Sequence, residues 1–175
     1  TLTLSDGTKV EISDEMVSRS TIDSVTNGEY FTPHVIEPAF GIDRIIWHIL
    51  DHGYQEIEKE EENYTILSLT PSIAPYDVAI LPLFDKDGMD VLANEISESI
   101  SSIPGIIGIK DTSRSIGRRY ARSDEIGIPW AITVDHQSVE DGTVTIRRRD
   151  DQAQVRVEIS SLLTNLSSGS LGSLF

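Results

Sequence analysis

The sequence predicts an α/β protein with a mixed β-sheet. Between residues 76 and 163, strand-like apolar runs alternate with helix-like amphipathic segments, and a hairpin-like stretch, TVTIRRRDDQAQVRVEI, comes near the end. The run YDVAILPLF is almost continuously apolar, which is typical of a strand buried on both faces of a parallel or mixed sheet. These observations predict parallel strands joined by helices, with an antiparallel hairpin at one side.

Each element of this α/β unit has its own signal. The segment DKDGMDVLANEISESISSI predicts a helix, because four apolar residues recur at helical spacing: Met89, Leu92, Ile96 and Ile100. A short strand, IIGIK, follows Pro104-Gly105. A basic, helix-like segment, TSRSIGRRYARSDEIG, and a strand, PWAITVD, come next. The hairpin turns at Asp150-Asp151, and a last helix begins near Ile159.

The first third of the chain has a different pattern of apolar and polar residues. Apolar and polar residues alternate on both sides of Asp6-Gly7, which predicts a β-hairpin. The stretch STIDSVTNGEYF has strand character with a turn at Asn27-Gly28, and HVIEP reads as a short buried strand. From Gly41 to Gly53 the pattern predicts a helix, whose apolar positions are Ile42, Ile45, Ile46, Ile49 and Leu50. We therefore expect two domains, residues 1–70 and 71–175.

The sequence also predicts the environment of several other residues and segments. We expect Trp47 and Trp130 to lie in the core, the acidic run EKEEE to be a solvated linker, and the last nine residues, SSGSLGSLF, to fray. His48 and His52 are four residues apart, but no third ligand is apparent, so we predict no metal site.

Composition narrows the class of protein. The 175 residues contain no cysteine, which excludes disulfides and thiol catalysis. No apolar run approaches the roughly 20 residues that cross a bilayer, so we expect a soluble, cytoplasmic protein. The formal net charge is -15, yet residues 110–156 hold 9 Lys and Arg against 8 Asp and Glu. This electropositive segment on an acidic chain is typical of phosphate binding, although a solvated surface of mixed charge has the same composition.

The stretch PHVIEPAFGIDRIIWHIL places an arginine in the first turn of a helix, behind a Glu-Pro corner. Backbone N–H groups and the positive end of the helix dipole lie beside Arg44, which suits an anion, and Glu37 could meet an ammonium group. An ordinary junction between a strand and a helix, with an arginine on the surface, would give the same pattern.

These residues resemble a known family. The stretch VIEPAFGIDRIIW is similar to motif 3 of the class II aminoacyl-tRNA synthetases, in the form found in glycyl-tRNA synthetases of the archaeal and eukaryotic type. Residues 71–89, 115–135 and 141–157 resemble the C-terminal anticodon-binding domain of that family, in the same order. The resemblance implies the end of an antiparallel class II catalytic domain followed by a mixed-sheet α/β anticodon-binding domain.

The resemblance also implies roles for residues of the motif. Arg44 would be the catalytic arginine that holds ATP, and Gly41, Ile42, Asp43 and Arg44 would line the nucleotide. The glycine substrate would contact Glu37, Pro38, Ala39, Phe40 and Gly41, with Glu37 on its ammonium group. Mg²⁺ would share the charge of the phosphates. The family commonly has serine where this chain has Ala39, which removes one hydrogen bond near the amino acid.

The implied reaction has two steps. Glycine and ATP give glycyl-adenylate and pyrophosphate, and a terminal ribose hydroxyl of tRNA(Gly) then takes the glycyl group. Motifs 1 and 2 of the class, which supply the dimer interface and an arginine on the α-phosphate, are not found in this sequence. We therefore expect the chain alone to be inactive and the full-length parent to be a homodimer.

The electropositive segment would read the anticodon. If it is helical, Arg114, Arg118 and Arg122 recur every fourth residue and share one face. Unstacked bases are read by donors such as Arg and acceptors such as Asp, so the candidate residues are Lys110, Asp111, Arg114, Arg118, Arg119, Arg122 and Asp135. Asp124 and Glu125 could instead neutralise Arg119 or Arg122. Relatives tend to carry a small residue in place of Arg114.

Two other functions fit part of this pattern. A non-catalytic nucleic-acid-binding protein on the same scaffold, such as a DNA polymerase accessory subunit, would keep the basic segment but has no need of Glu37 and Arg44. A synthetase with the same type of anticodon domain could use another amino acid, although Glu-Pro-Ala-Phe-Gly favours glycine.

Overall fold

The computed structural model describes residues 1–25, 27–59 and 62–175. It describes the side chains of these residues except those of residues 58, 59, 62 and 63. The chain forms two compact units, Thr1–Ala39 and Phe40–Phe175. Residues 60 and 61, in the middle of the predicted EKEEE linker, lie outside the described part. On either side of them the chain forms strands rather than a linker.

The first unit holds little regular structure among its described residues. Strands β1 (Leu2–Thr3) and β2 (Lys9–Val10) pair antiparallel around Asp6-Gly7, so the predicted hairpin is confirmed. A 3-10 turn follows at Asp14–Met16.

The predicted strands STIDSVTNGEYF and HVIEP are wrong for the described residues, where no strand forms in either stretch. Val35 and Ile36 are 74% and 95% exposed. A strand needs a neighbour for its backbone hydrogen bonds and a surface that buries its side chains, and the described residues of this unit provide neither for this segment.

The second unit begins with helix α1 (Ile42–Gly53), at the predicted bounds. Strands β3 (Tyr54–Lys59) and β4 (Glu62–Leu67) form an antiparallel hairpin directly after it. Gly53 is buried beside Leu69, but the apolar face of α1 is not covered by the described residues, and Trp47 is 69% exposed. The expectation that Trp47 lies in the core is therefore wrong.

The rest of the unit is built on one five-stranded sheet. Its strands are β5 (Val78–Pro82), β6 (Gly108–Lys110), β7 (Trp130–Val134), β8 (Thr143–Arg148) and β9 (Gln154–Glu158), in the order β6-β5-β7-β8-β9. Strands β6, β5 and β7 run parallel to one another. Strand β8 pairs antiparallel with β7, and β9 pairs antiparallel with β8. The predicted mixed sheet and its terminal hairpin are confirmed.

Helices cover both faces of this sheet. They are α2 (Met89–Ser101), α3 (Ile116–Ile126), α4 (His136–Asp141) and α5 (Ile159–Ser167). Val78 and Ile80 of β5 pack in a core with α2 and α5, and Ala79 and Leu81 pack on the other face. Residues of α3, among them Tyr120, join this second cluster. Alternate residues of β5 thus enter two different cores, as its continuous apolar run predicts.

The last residues do not fray, contrary to the prediction. Leu171 is buried, and Leu174 packs against the same core. The Phe175 ring stacks on Trp130 with centroids 5.6 Å apart, and the Arg148 guanidinium lies 4.7 Å from the Phe175 ring centroid. The tail is held because its three apolar residues find apolar surface beside Trp130, which is half-buried against the core.

Replacing Phe175 with alanine is expected to lower the free energy of unfolding by about 1–2 kcal/mol, because one aromatic pair and one cation–π contact are lost. Urea denaturation measures this change. Phe40→Ala is the matched control, since Phe40 is 80% exposed and its removal should leave the stability unchanged. Equal effects of the two variants would contradict an anchored tail.

Candidate nucleic-acid interface

The parallel strands β6, β5 and β7 end at the same edge of the sheet. We define the carboxyl edge as the segments that follow them: residues 83–87 after β5, residues 111–115 after β6, and residues 135–136 after β7. In open α/β sheets, ligands bind outside the carboxyl ends of parallel strands. Asp111 and Asp135 lie on this edge, directly beyond β6 and β7, and Lys110 is the last residue of β6.

Three arginines converge beside this edge. Arg114, Arg118 and Arg122 line an open pocket of about 200 Å³, which Glu125 borders. Arg118 and Arg122 are one turn apart on α3, as the helical spacing predicts. Arg114 precedes the helix and has a positive φ of 65°, yet its side chain reaches the same pocket. We call Arg114, Arg118 and Arg122 the arginine cluster.

One member of the arginine cluster is held by an acid. Arg122 forms an ion pair with Asp111 and donates a hydrogen bond to the Ser113 hydroxyl at 2.7 Å. The Ser113 backbone N–H also donates to Asp111, at 2.9 Å. Burial alone would raise the pKa of Asp111, but the hydrogen bonds from Ser113 and the charge of Arg122 outweigh it and lower the pKa. Asp111 therefore orients Arg122 and the loop after β6.

Arg119 was predicted to contact the anticodon, but the structure places it inside the protein. This arginine is 5% exposed and points inward, where it donates to the backbone carbonyl of Pro82 and, at 3.0 Å, to that of Arg114. The guanidinium faces protein, so it is not part of the exposed surface of the basic segment. Consecutive residues of a helix point about 100° apart, and so Arg119 cannot share the face of Arg118.

Asp135 is also engaged within the protein. It caps the N-terminus of α4, accepting from the Ser138 N–H at 2.9 Å, and it accepts two hydrogen bonds from Arg156 at 2.8 and 3.0 Å. The Arg156 guanidinium, followed by the bonds from Ser138, holds the pKa of Asp135 far below its usual range. Its role in this structure is to fix the start of α4, which the sequence analysis missed. The signal was the pair Asp135 and Ser138, at the spacing of a capping box.

Arg147 and Arg149, two of the three consecutive arginines in the hairpin, are buried. Arg147 makes a bidentate ion pair with Asp124, at 2.9 and 2.8 Å, a partner that the sequence analysis did not propose for this carboxylate. Arg149 donates to the backbone carbonyls of Gly127 and Leu69, both at 2.8 Å. The exposed cationic surface is therefore smaller than the composition of residues 110–156 suggests.

An exposed aromatic group at the carboxyl edge was also missed. Phe84 is 46% exposed, the Lys86 ammonium lies 5.6 Å from the centroid of its ring, and the His136 ring lies 6.0 Å away. Lys110, which is exposed nearby on β6, bonds to the Asn94 amide oxygen. Phe84 was predicted to lie at the end of the buried run YDVAILPLF, but β5 ends two residues earlier, at Pro82.

The residues of the motif-3-like stretch are all exposed. Glu37, Pro38 and Ala39 end the first unit, and Phe40 begins the second. The backbone N–H of Ile45 donates to the Gly41 carbonyl at 3.1 Å, so Gly41 caps α1 and Arg44 lies in the first turn. The N-terminal backbone N–H groups of α1 and the Arg44 guanidinium suit an anion such as a phosphate. A nucleotide site normally encloses most of its ligand, and so this helix can form only one side of it.

The described residues contain neither a membrane-spanning helix nor a cluster of metal ligands. Within residues 1–25, 27–59 and 62–175 there is no helix of sufficient length and apolar character to span a bilayer. No group of three or more His, Asp or Glu side chains is placed to bind a metal ion in this part of the chain, and His48 and His52 contact each other edge to face.

Comparison with known proteins shows which family the chain belongs to. The family described as the anticodon binding domain matches residues 77–168, which is more than half of the chain. The chain therefore belongs to the anticodon-binding domain family.

Longer relatives are similar to almost the whole chain. The glycine–tRNA ligase of Methanothrix thermoacetophila is 48% identical over 169 residues, which are 95% of this chain and 29% of that protein. The glycine–tRNA ligases of Methanocaldococcus jannaschii and Archaeoglobus fulgidus are 47% and 43% identical over 92% and 90% of the chain. The chain spans little more than a quarter of the length of these relatives. The resemblance stated from the motifs is confirmed.

A solved structure supports the fold. The prolyl-tRNA synthetase of Cryptosporidium parvum, solved with L-proline and AMP, matches 62% of this chain and 25% of its own, with a TM-score of 0.51 and 21% identity. At this identity the match shows the fold alone, and it confirms the predicted mixed α/β architecture.

Proposed function

We propose that this chain is the C-terminal part of a cytoplasmic glycine–tRNA ligase and that its α/β unit binds the anticodon of tRNA(Gly). One observation carries the proposal: three arginines from two segments line one open pocket beside the carboxyl edge of a sheet in an anticodon-binding domain. Guanidinium groups bind phosphate oxygens and base edges, and they also stack on unpaired bases.

The proposed anticodon surface is a revised form of the residue set predicted from the sequence. Arg114, Arg118 and Arg122 contact RNA directly, and Lys110 lies at the rim. Asp111 and Asp135 accept bonds from Arg122 and Arg156, so they orient the surface.

A glycine anticodon rich in cytosine presents N4 donors. Backbone carbonyls of residues 84–87 and 112–113 are therefore the acceptors we propose for it. The boundary between the catalytic part and the anticodon-binding domain stays a prediction, near residue 70.

In the parent ligase, glycine and ATP would react to give glycyl-adenylate. Arg44 would bind the triphosphate and the adenine, Gly41 to Asp43 would line the nucleotide, and Glu37 would bind the glycine ammonium group beside residues 38–41. Mg²⁺ would neutralise phosphate charge when bound. The rest of the parent, which we expect to be a homodimer, would supply the remaining walls of this site. Glycine is favoured over proline because the relatives at 48% and 47% identity are glycine–tRNA ligases.

Anticodon-dependent binding tests the proposal. The 175-residue chain should bind a tRNA(Gly) transcript at least tenfold more tightly than the same transcript with its three anticodon bases replaced by adenines, in a filter-binding titration. An otherwise unchanged tRNA body is the matched control. Equal affinity for both transcripts would contradict anticodon recognition and leave only nonspecific phosphate binding.

The chain alone is expected to catalyse no glycine-dependent exchange between pyrophosphate and ATP, because α1 can form only one side of a nucleotide site. Radiolabelled pyrophosphate exchange measures this, with a full-length relative as the positive control. Exchange above the level without glycine would show that the chain contains a complete adenylation site.

Replacing Arg114 with glycine is expected to separate stability from RNA binding. The backbone at Arg114 has a φ of 65°, which costs a residue with a side chain about 1 kcal/mol and costs glycine little. Added freedom of the unfolded chain offsets part of that gain, so the free energy of unfolding should stay the same or rise by up to about 1 kcal/mol.

The affinity of Arg114→Gly for the tRNA(Gly) transcript should fall at least about tenfold, since a hydrogen bond to a charged group contributes about 1.5–3 kcal/mol. Urea denaturation and filter binding measure the two effects. A variant that is less stable and binds normally would contradict both parts.

A further inference from the structure

The guanidinium of Arg119 lies inside the protein, directly beneath the carboxyl edge. Its Nη1 donates to the Pro82 carbonyl, at the end of β5. Its Nε and Nη2 donate to the Arg114 carbonyl at 3.2 and 3.0 Å, in the segment before α3. One side chain therefore connects the end of the central strand to the loop that carries a member of the arginine cluster.

Two longer contacts extend this connection. The Asp111 carbonyl lies 3.5 Å from Nη1, and the Leu83 carbonyl lies 3.5 Å from Nη2. The segments after β5 and after β6 thus both face the same cation. Strand ends leave carbonyl groups without ladder partners, and a planar group with five donors can satisfy several of them at once.

We propose that Arg119 is a positioning residue for RNA recognition, which rests on the function proposed above. By binding carbonyls from both segments, it fixes the relative placement of Arg114, the Asp111–Arg122 pair and Phe84. These groups lie on different segments, and without the bonds from Arg119 part of their ordering would have to occur when RNA binds. Arg119 contributes to affinity through this arrangement and does not touch the RNA.

Arg149 provides a control at the other end of β7, because it is also a buried arginine that donates to two backbone carbonyls; in addition it forms an ion pair with Asp150. It is 2% exposed, and its guanidinium donates to the carbonyls of Gly127 and Leu69 at 2.8 Å. Gly127 precedes β7, so these contacts lie at the edge of the sheet opposite the carboxyl edge. Loss of Arg149 should destabilise the fold without disturbing the proposed RNA surface.

The test compares Arg119→Lys and Arg149→Lys in the full 175-residue chain, below the melting temperature of both variants. Lysine keeps the charge, but its single ammonium cannot replace the fork of donors. Arg119→Lys should bind the tRNA(Gly) transcript at least tenfold more weakly, with an unchanged slope of log Kd against log salt. Arg149→Lys should melt at a lower temperature than the wild type and bind within twofold of it.

Three results would overturn the positioning role. The first is binding by folded Arg119→Lys within twofold of the wild type. The second is an equal loss in Arg149→Lys. The third is a salt slope reduced by about 0.7, because that is the value for one lost phosphate contact on a single strand. Failure of the wild-type chain to prefer the glycine anticodon would instead overturn the proposed function itself.

A measurement on the wild-type chain decides the matter if Arg119→Lys does not fold. In ¹⁵N-labelled protein, the Nε–H signal of Arg119 should keep its position when a glycine anticodon stem-loop is added, while the Nε–H signals of Arg118 and Arg122 move. A bound-state shift of Arg119 as large as that of Arg118 would show direct contact and contradict the proposal.

Discussion

Replacing Arg118 and Arg122 together with glutamate is expected to weaken binding of tRNA(Gly) by at least about 100-fold. Both side chains line the pocket of the arginine cluster, on one face of α3. A hydrogen bond to a charged group contributes about 1.5–3 kcal/mol, so the loss of two such contacts exceeds the roughly 2.8 kcal/mol that corresponds to a factor of 100. Two added carboxylates would also repel phosphate.

The control variant carries the same change in charge at another place. Lys9 and Arg19 are exposed in the first compact unit, and their replacement with glutamate makes the chain more acidic by the same amount. Filter binding at about 0.1 M salt should show a loss below about threefold for this control. A similar loss in both double variants would mean that net charge, rather than the arginine cluster, determines affinity.

Replacing Asp124 with asparagine is expected to lower the free energy of unfolding by about 3–5 kcal/mol, because it leaves the buried charge of Arg147 without its carboxylate. Asp124 is 1% exposed and Arg147 is 5% exposed. The guanidinium also donates to the Tyr64 hydroxyl at 3.1 Å and lies 4.9 Å from the centroid of the Tyr120 ring. The ion pair joins α3, which carries Arg118 and Arg122, to β8 of the sheet.

Glu125→Gln is the matched control for this prediction. Glu125 is the next residue of α3 but is exposed, so the same loss of charge should change stability by less than about 0.5 kcal/mol. Replacement of both partners, Asp124→Leu with Arg147→Met, should recover part of the stability, because neither charge of this pair is then left buried without its partner. Urea denaturation that gave equal values for Asp124→Asn and Glu125→Gln would contradict this account of the pair.

The sequence predicted the α/β part well because burial and periodicity coincide there. The run at β5 is apolar on both faces and enters two cores, and the apolar positions of α2 match its buried side. Helix α4 was missed because its six residues are too few for a hydrophobic period to be visible. Its signal lies in the capping residues alone.

The first unit could not be predicted in the same way. The apolar pair Val35-Ile36 in HVIEP predicted a short buried strand, but a strand forms only where a neighbour completes its hydrogen bonds. The side chains of this stretch and of α1 are exposed in a chain that spans little more than a quarter of its relatives' length. A sequence pattern shows which face of an element is apolar. It does not show whether the surface that covers this face belongs to the same stretch of chain.

For the candidate site, spacing predicted the common face of Arg118 and Arg122 but not the inward direction of Arg119. The buried side of α3 follows the stripe Ile116, Arg119, Tyr120, Ser123 and Asp124, at intervals of three and four residues. Arg119 could have been assigned to it from Ile116 and Tyr120, because polar residues on an apolar stripe are buried with partners. The partners themselves, such as Arg147 for Asp124, depend on tertiary contacts.

Nuclease footprinting of tRNA(Gly) with the 175-residue chain tests the central claim most directly. We expect the three anticodon nucleotides to be protected by the wild-type chain and to be cleaved normally with Arg118→Glu/Arg122→Glu. The Lys9→Glu/Arg19→Glu variant should give the same protection as the wild type. Protection confined to other parts of the tRNA, or anticodon protection that survives loss of both arginines, would contradict the assignment of the arginine cluster to the anticodon.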